Sequence, residues 1–96
     1  MPGVWPAAKS EALMIVGSSL AQKKQYDDAR NQLKKCIALE GGEAWHKCDA
    51  QMTIAKTYLE EGKKQEAKNE FETLLKMNGL NDTLRKQAES QLQNLK

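Results

Sequence analysis

Aromatic residues are scarce in this sequence. The five present, Trp5, Tyr26, Trp45, Tyr58 and Phe71, are too few and too scattered to build a base-stacking platform. An excess of one charge is missing too: fifteen basic residues face thirteen acidic ones, for a net charge of +2. Such a balance supplies no field to steer the chain towards nucleic acid or anionic lipid. Long hydrophobic runs are lacking. The longest, Ala12 to Val16, falls far short of the roughly 20 residues that cross a bilayer, so neither nucleic-acid binding nor membrane insertion is expected. No basic leader precedes an apolar run at the N-terminus, so no signal peptide is read there. The compartment is not legible: cytoplasmic, or periplasmic if the segment is a domain cut from a longer protein. Cysteine occurs only at positions 36 and 48, which is no disulfide framework.

Sustained alternation of apolar and polar residues is also absent, which leaves helical spacing as the ruling pattern. The two prolines sit at positions 2 and 6, and Pro6 suits the first turn of a helix. A first helix runs to about Gln22, with Leu13, Val16, Gly17 and Leu20 along its buried stripe. After the polar break Lys23-Lys24-Gln25, a second extends from Tyr26 to about Glu40 and buries Ala29, Leu33, Cys36 and Ile37. Gly41-Gly42 is expected to end it. A third spans about Glu43 to Glu61, with Trp45, Cys48, Gln51, Ile54, Ala55 and Tyr58 on one side. Gly62 separates it from a fourth, about Lys64 to Met77, which buries Ala67, Phe71, Leu74 and Leu75. Asn78-Gly79 closes that helix. Asn81 or Asp82 then caps a fifth, whose stripe is Leu84, Ala88, Leu92 (or Gln91) and Leu95.

Residues 38 apart correspond. Val16 matches Ile54, Gly17 matches Ala55, Ala29 matches Ala67, Leu33 matches Phe71, and Cys36-Ile37 matches Leu74-Leu75. The breaks match as well, Gly41 with Gly79. Two helices repeated at a fixed period mark a solenoid of helical hairpins. Tyr26-Asp27-Asp28-Ala29, and the run from Tyr58 through Gly62 to Ala67, resemble the turn into the second helix of the tetratricopeptide repeat. Gly17 and Ala55 stand at that family's small position in the first helix, and Ala29 and Ala67 at its small position in the second.

The resemblance implies an all-α, right-handed superhelical stack of about five helices. Repeat one covers about residues 7–42, repeat two about 43–79, and a capping helix about 82–96. The family period is about 34 residues. The four extra residues amount to about one helical turn, which places an extension at the start of the third helix, around Trp45. The longer period and the final helix also look like repeats found in bacterial envelope assembly proteins.

Such modules bind a protein or peptide along the concave face made by the first helix of each hairpin. The residues expected there are Glu11, Met14 and Ser18 from the first helix, and Asp49, Met52, Lys56 and Leu59 from the third. The paired methionines offer soft, adaptable contacts. Met14 and Ser18 occupy places where the family's terminal-carboxylate clamp needs lysine and asparagine, so no such clamp is expected. The alternative function is structural: self-association as a homodimer, or packing against further repeats.

Catalysis finds no support. The single histidine, His46, has no orienting acid and nucleophile around it in sequence, and Gly41-Gly42 lacks the strand and the Gly-Lys-Ser/Thr ending of a phosphate loop. His46 and Cys48 project about 200 degrees apart on a helix, a poor start for a metal site, and no cofactor is expected. Cys36 and Cys48 lie symmetrically about Gly42, which leaves a disulfide as a marginal geometry. Asn81-Asp82-Thr83 reads as a helix cap rather than a glycosylation site. Trp45 is expected at the repeat junction, or else as a surface anchor.

Overall fold

A computed structural model describes residues 6–95, with side chains from Ala8 onward; residues 1–5, including Trp5 and the N-terminal reading, and Lys96 lie outside it. The described residues form five helices: α1 (Pro6–Gln22), α2 (Tyr26–Ala38), α3 (Ala44–Glu60), α4 (Lys64–Leu75) and α5 (Asp82–Asn94). Each helix packs on the next, and α1, α3 and α5 also touch in series. The result is a stack of hairpins in which the odd-numbered helices share one side. Both α1 and α3 are 17 residues long, against 13 and 12 for α2 and α4. The extra turn of the longer period therefore belongs to the first helix of each hairpin.

The two hairpin turns close alike. Gln25 N–H donates to the Leu20 carbonyl (2.9 Å) and Lys24 N–H to that of Ala21 (3.0 Å); Lys63 N–H donates to Tyr58 (2.8 Å) and Gly62 N–H to Leu59 (3.0 Å). These paired bonds satisfy carbonyls that a helix end leaves free, and they require one residue in the left-handed region. That residue is Gly62 (φ 77°) in the second turn and Lys24 (φ 64°) in the first.

Between hairpins the helices stop earlier than the glycines suggest. α2 ends at Ala38 and α4 at Leu75, because Leu39 already turns extended (φ −68°, ψ 117°) and Met77 lies beyond the final turn. Gly79 has a second role: a Cβ there would come within 2.6 Å of the Ala44 Cβ, so the bare backbone lets the loop rest on the start of α3. The Asn81 side chain accepts a hydrogen bond from Leu84 N–H at 2.8 Å and caps α5.

Two apolar clusters hold the stack. One joins the hairpins, with Leu33 and Cys36 of α2 against Ala50 and Ile54 of α3 and Leu13, Met14, Ile37 and Tyr58 packed around them. The other centres on Phe71 and gathers Cys48, Met52, Ala55, Ala67, Leu74 and Ala88, with Leu84, Leu92 and Leu95 of α5 at its edge. Ala29 and Ala67 are fully buried, as close helix packing at these positions requires. Ala88 stands 38 residues after Ala50, and Leu92 38 after Ile54. By register, α5 is the first helix of a third hairpin. At its positions equivalent to Cys48, Met52 and Ala55 it carries Lys86, Ser90 and Gln93, all exposed. A polar outer face of this kind suits the end of a stack.

Two assignments from spacing are corrected. Val16, read as part of the buried stripe, is 47% exposed, and its neighbour Ile15 is 53% exposed. Among the described helices only α2 and α3 pack on α1, and neither covers that side. Trp45 does not pack into the junction. It is 52% exposed, and its ring lies tilted against that of His46 with centroids 4.0 Å apart.

A buried arginine bridges the repeats. Arg30, at the start of α2, donates to Thr57 Oγ1 (3.0 Å), Glu61 Oε1 (2.6 Å) and Asp27 Oδ1 (2.8 Å). Its guanidinium also lies 4.2 Å from the centre of the Tyr58 ring. The bonds to Thr57 and Glu61 tie α2 to the C-terminal end of α3, while that to Asp27 lies within α2. Arg30→Met keeps the apolar stem and removes the bonds. Because Asp27 is almost fully exposed and Glu61 remains solvated in part, the expected loss is about 1.5–3 kcal/mol, the range for a hydrogen bond to a charged group. Urea unfolding checks this; a change below about 0.5 kcal/mol, usual for a plain surface substitution, contradicts the bridge.

Candidate functional site

The side shared by α1, α3 and α5 carries two adjacent clefts. The first, of about 370 Å³, runs between α1 and α3 and is lined by Ser18, Ala21, Gln22, Thr53, Lys56 and Glu60, among others. The second, of about 350 Å³, lies between α3 and α5 and is lined by Lys56, Lys86, Gln87, Ser90 and Gln91. Lys56 borders both. The spacing explains the lining: Lys56 and Glu60 lie one turn apart, and Thr53 falls on the same side of α3. Hydroxyls and amides dominate, and Lys24, Lys56 and Lys86 outnumber the one carboxylate, Glu60. Glu60 is held from behind, since the Tyr26 hydroxyl donates to its Oε2 at 2.7 Å. That bond stabilises the protonated phenol and raises the Tyr26 pKa above its ordinary value, with desolvation and the nearby charges of Glu60 and Glu61 adding in the same direction.

The seven residues expected to contact a partner fall into different settings. Ser18 and Lys56 line the cleft, and Glu11 is exposed. Asp49 is half-buried. Met52 is 1% exposed and belongs to the Phe71 cluster, so it offers no surface to a partner. Met14 and Leu59 are partly buried and pack against the cores. Met52 sits on α3 between the core positions Cys48 and Ala55 and the cleft position Lys56, and its flexible thioether turns inward. Thr53, Gln22, Glu60 and the α5 residues of the second cleft were not read from the sequence. The repeat itself held the signal, because Gln22 and Glu60 are 38 residues apart, as are Thr53 and Gln91.

A serine does stand beside the histidine. Ser10 Oγ and His46 Nδ1 share a buried hydrogen bond that pins α1 to the start of α3. A catalytic pair needs a hydroxyl open to substrate and an acid on the other ring nitrogen. Ser10 has no exposed surface, and His46 Nε2 is buried without a hydrogen-bond partner. The bond is a structural clasp. Cys36 and Cys48 are free thiols in different clusters. Cys36 Sγ donates to the Ser10 carbonyl at 3.3 Å, and Cys48 Sγ to that of Asn78 at 3.4 Å. Burial raises both thiol pKa values above the ordinary 9.0, which keeps them protonated and unreactive at neutral pH. Among the described residues, no three His, Cys, Asp or Glu side chains gather in a way that could hold a metal ion, and no helix is long and apolar enough to cross a membrane.

Repeated hairpins in register, small residues at their crossings and a shared polar side define a helical-repeat interaction module. The tetratricopeptide repeat family model matches residues 10–42 and 49–79, and the chain belongs to that family. Its repeats build modules that engage other proteins, and no catalytic family is detected. No curated protein and no solved structure matches the chain.

Proposed function

We propose that the chain binds an extended, polar to acidic segment of a partner protein across the face formed by α1, α3 and α5. The carrying observation is the pair of adjacent clefts that share Lys56. Hydroxyls and amides there can satisfy a peptide backbone, and three lysines favour carboxylates on the guest. Glu11 and Asp49, one period apart and N-terminal to the cleft residues on α1 and α3, would set a direction along the guest by charge. No large apolar side chain lines either cleft, Ala21 being the one apolar residue there, which argues against a greasy helix as guest, because such a helix needs a hydrophobic groove.

A peptide selected from a random twelve-residue library serves as the probe. In an NMR titration, amide shifts are expected at Ser18, Thr53, Lys56 and Gln91. Lys56→Glu is expected to weaken binding at least about tenfold, or 1.4 kcal/mol. Lys56 is exposed, so unfolding should move by less than about 0.5 kcal/mol. Shifts confined to α2 and α4, or unchanged affinity in Lys56→Glu, count against the reading.

A further inference from the structure

Trp45 is the one exposed aromatic among the described residues: Tyr26 and Tyr58 are half-buried, and Phe71 has no exposed surface. Stacking of the repeats does not require it, since the residues one period before and after are Ala7 and Thr83. Its place on α3 follows from helical register. Asp49 comes four residues after Trp45 and Lys56 eleven, so the three lie within about 40 degrees of one another around the helix. Much of the remaining circumference is covered. His46 is bonded to Ser10 of α1, Ala50 and Ile54 pack against α2, and Cys48, Met52 and Ala55 face the Phe71 cluster that includes Ala88 of α5. The Trp45 line is therefore the open strip of α3 between α1 and α5, and Lys56, which borders both clefts, stands on it. The indole is also held in place. It leans on the His46 ring with centroids 4.0 Å apart, and the Ser10 bond fixes that ring. A restrained aromatic loses little freedom on binding, and tryptophan is enriched among the few residues that carry interface energy. Among the described residues neither Asp49 nor Lys56 is in an ion pair, so both charges are open to a guest.

We infer that Trp45 is the apolar anchor for the partner segment, and that Trp45, Asp49 and Lys56 together set a spacing which that segment must match. The inference rests on the cleft reading above and names the chemistry of its guest. Eleven residues of helix span about 16 Å. An extended chain advances about 3.3 Å per residue, so about five residues of guest cover that length. Asp49 lies about 6 Å beyond Trp45 along the axis, opposite the guest residue about two places on. The guest is an extended peptide with an aliphatic or aromatic side chain on the indole, a basic residue about two positions away over Asp49, and an acidic residue about five positions away at Lys56. Lys86 of α5 borders the same cleft as Lys56 and adds to the attraction for that acid.

The probes are synthetic Gly/Ser peptides of about twelve residues, carrying leucine, lysine two positions on and glutamate five positions on, made in both sequence orders. Trp5→Phe leaves Trp45 as the sole tryptophan of the full chain, and its fluorescence follows the titration. In the tighter-binding order, emission is expected to shift to the blue as the indole is covered. Affinity should be at least about fivefold higher than for peptides with the glutamate two or eight positions from the leucine. Trp45→Ala should weaken binding of the leucine peptide at least about tenfold. It should leave a peptide with serine in place of leucine within about twofold, and this cycle separates loss of the anchor from any general disturbance of the fold. Equal affinity at the three spacings, or equal loss for the leucine and serine peptides, would overturn the inference. If Lys56→Glu weakens binding and Trp45→Ala does not, the anchor falls and the cleft reading stands. If Lys56→Glu changes nothing for any peptide, both fall. A dimer that Trp45→Ala dissolves in sedimentation also overturns the inference, because a second copy would then occupy the anchor.

Discussion

Phe71→Ala is expected to cost about 3–5 kcal/mol, the range for truncating a well-packed aromatic. Phe71 is the largest fully buried side chain among the described residues, and it joins three helices: α3 through Cys48, Met52 and Ala55, its own α4 through Ala67 and Leu74, and α5 through Ala88. The neighbours cannot readily collapse into the space, because three of them are alanines with nothing to extend. Domains are stable by roughly 0.05–0.15 kcal/mol per residue, so this one change removes at least about a fifth of the total. The midpoint of thermal unfolding should fall by on the order of 20 °C. α5 should loosen first, since Ala88 is its fully buried anchor. Circular dichroism melting checks the size, and hydrogen exchange checks the order. A loss under about 1 kcal/mol would mean that the cluster is not the centre of the second hairpin.

Gly17→Val is expected to be nearly as damaging for the opposite reason. A Cβ built at Gly17 lies 2.5 Å from both Cγ and Cδ2 of Leu33 and 3.3 Å from the Ala29 carbonyl oxygen. Leu33 is itself fully buried and packs on α3, so it cannot move aside without disturbing the contact between hairpins. Overpacking of this kind costs about 1–3 kcal/mol and occasionally more, and valine adds two methyl groups beyond the Cβ. Gly17→Ala separates the effects. Alanine gains about 1 kcal/mol of helix propensity over glycine, which offsets part of the clash, so this variant should stay within about 2 kcal/mol of wild type. Urea unfolding of the two variants gives the comparison. If valine is tolerated as well as alanine, the crossing of α1 and α2 is not tight at this point.

The hairpin architecture was readable because it rests on residues whose chemistry changes little between repeats. Ala29 and Ala67 can only be small for a steric reason, and Leu33, Phe71, Leu74 and Ala88 sit at helical spacing with no rival explanation. Val16 was misread because periodicity reports which side of a helix is apolar, not whether anything covers that side. Met52 was misread because it lies on the border between core and cleft, where angle alone does not decide and side-chain length does. Arg30 gave little local signal. A charged residue beside Ala29 looks like surface, and its partners Thr57 and Glu61 are supplied by the next repeat. Ser10 and His46 were hidden for the same reason, being 36 residues apart. The site was thus less legible than the fold, because polar contacts between repeats depend on which pairs meet across them.

Lys24 adopts the left-handed conformation (φ 64°) that Gly62 adopts one period later. For a residue with a Cβ this costs roughly 1–2 kcal/mol, and it persists because the closing bonds to Leu20 and Ala21 hold it. The first turn is therefore a cocked spring, and the second is slack. Once those two bonds let go, recoil favours the open form at one corner of the molecule, so fraying should travel inward from there and leave the glycine-turned half to melt last.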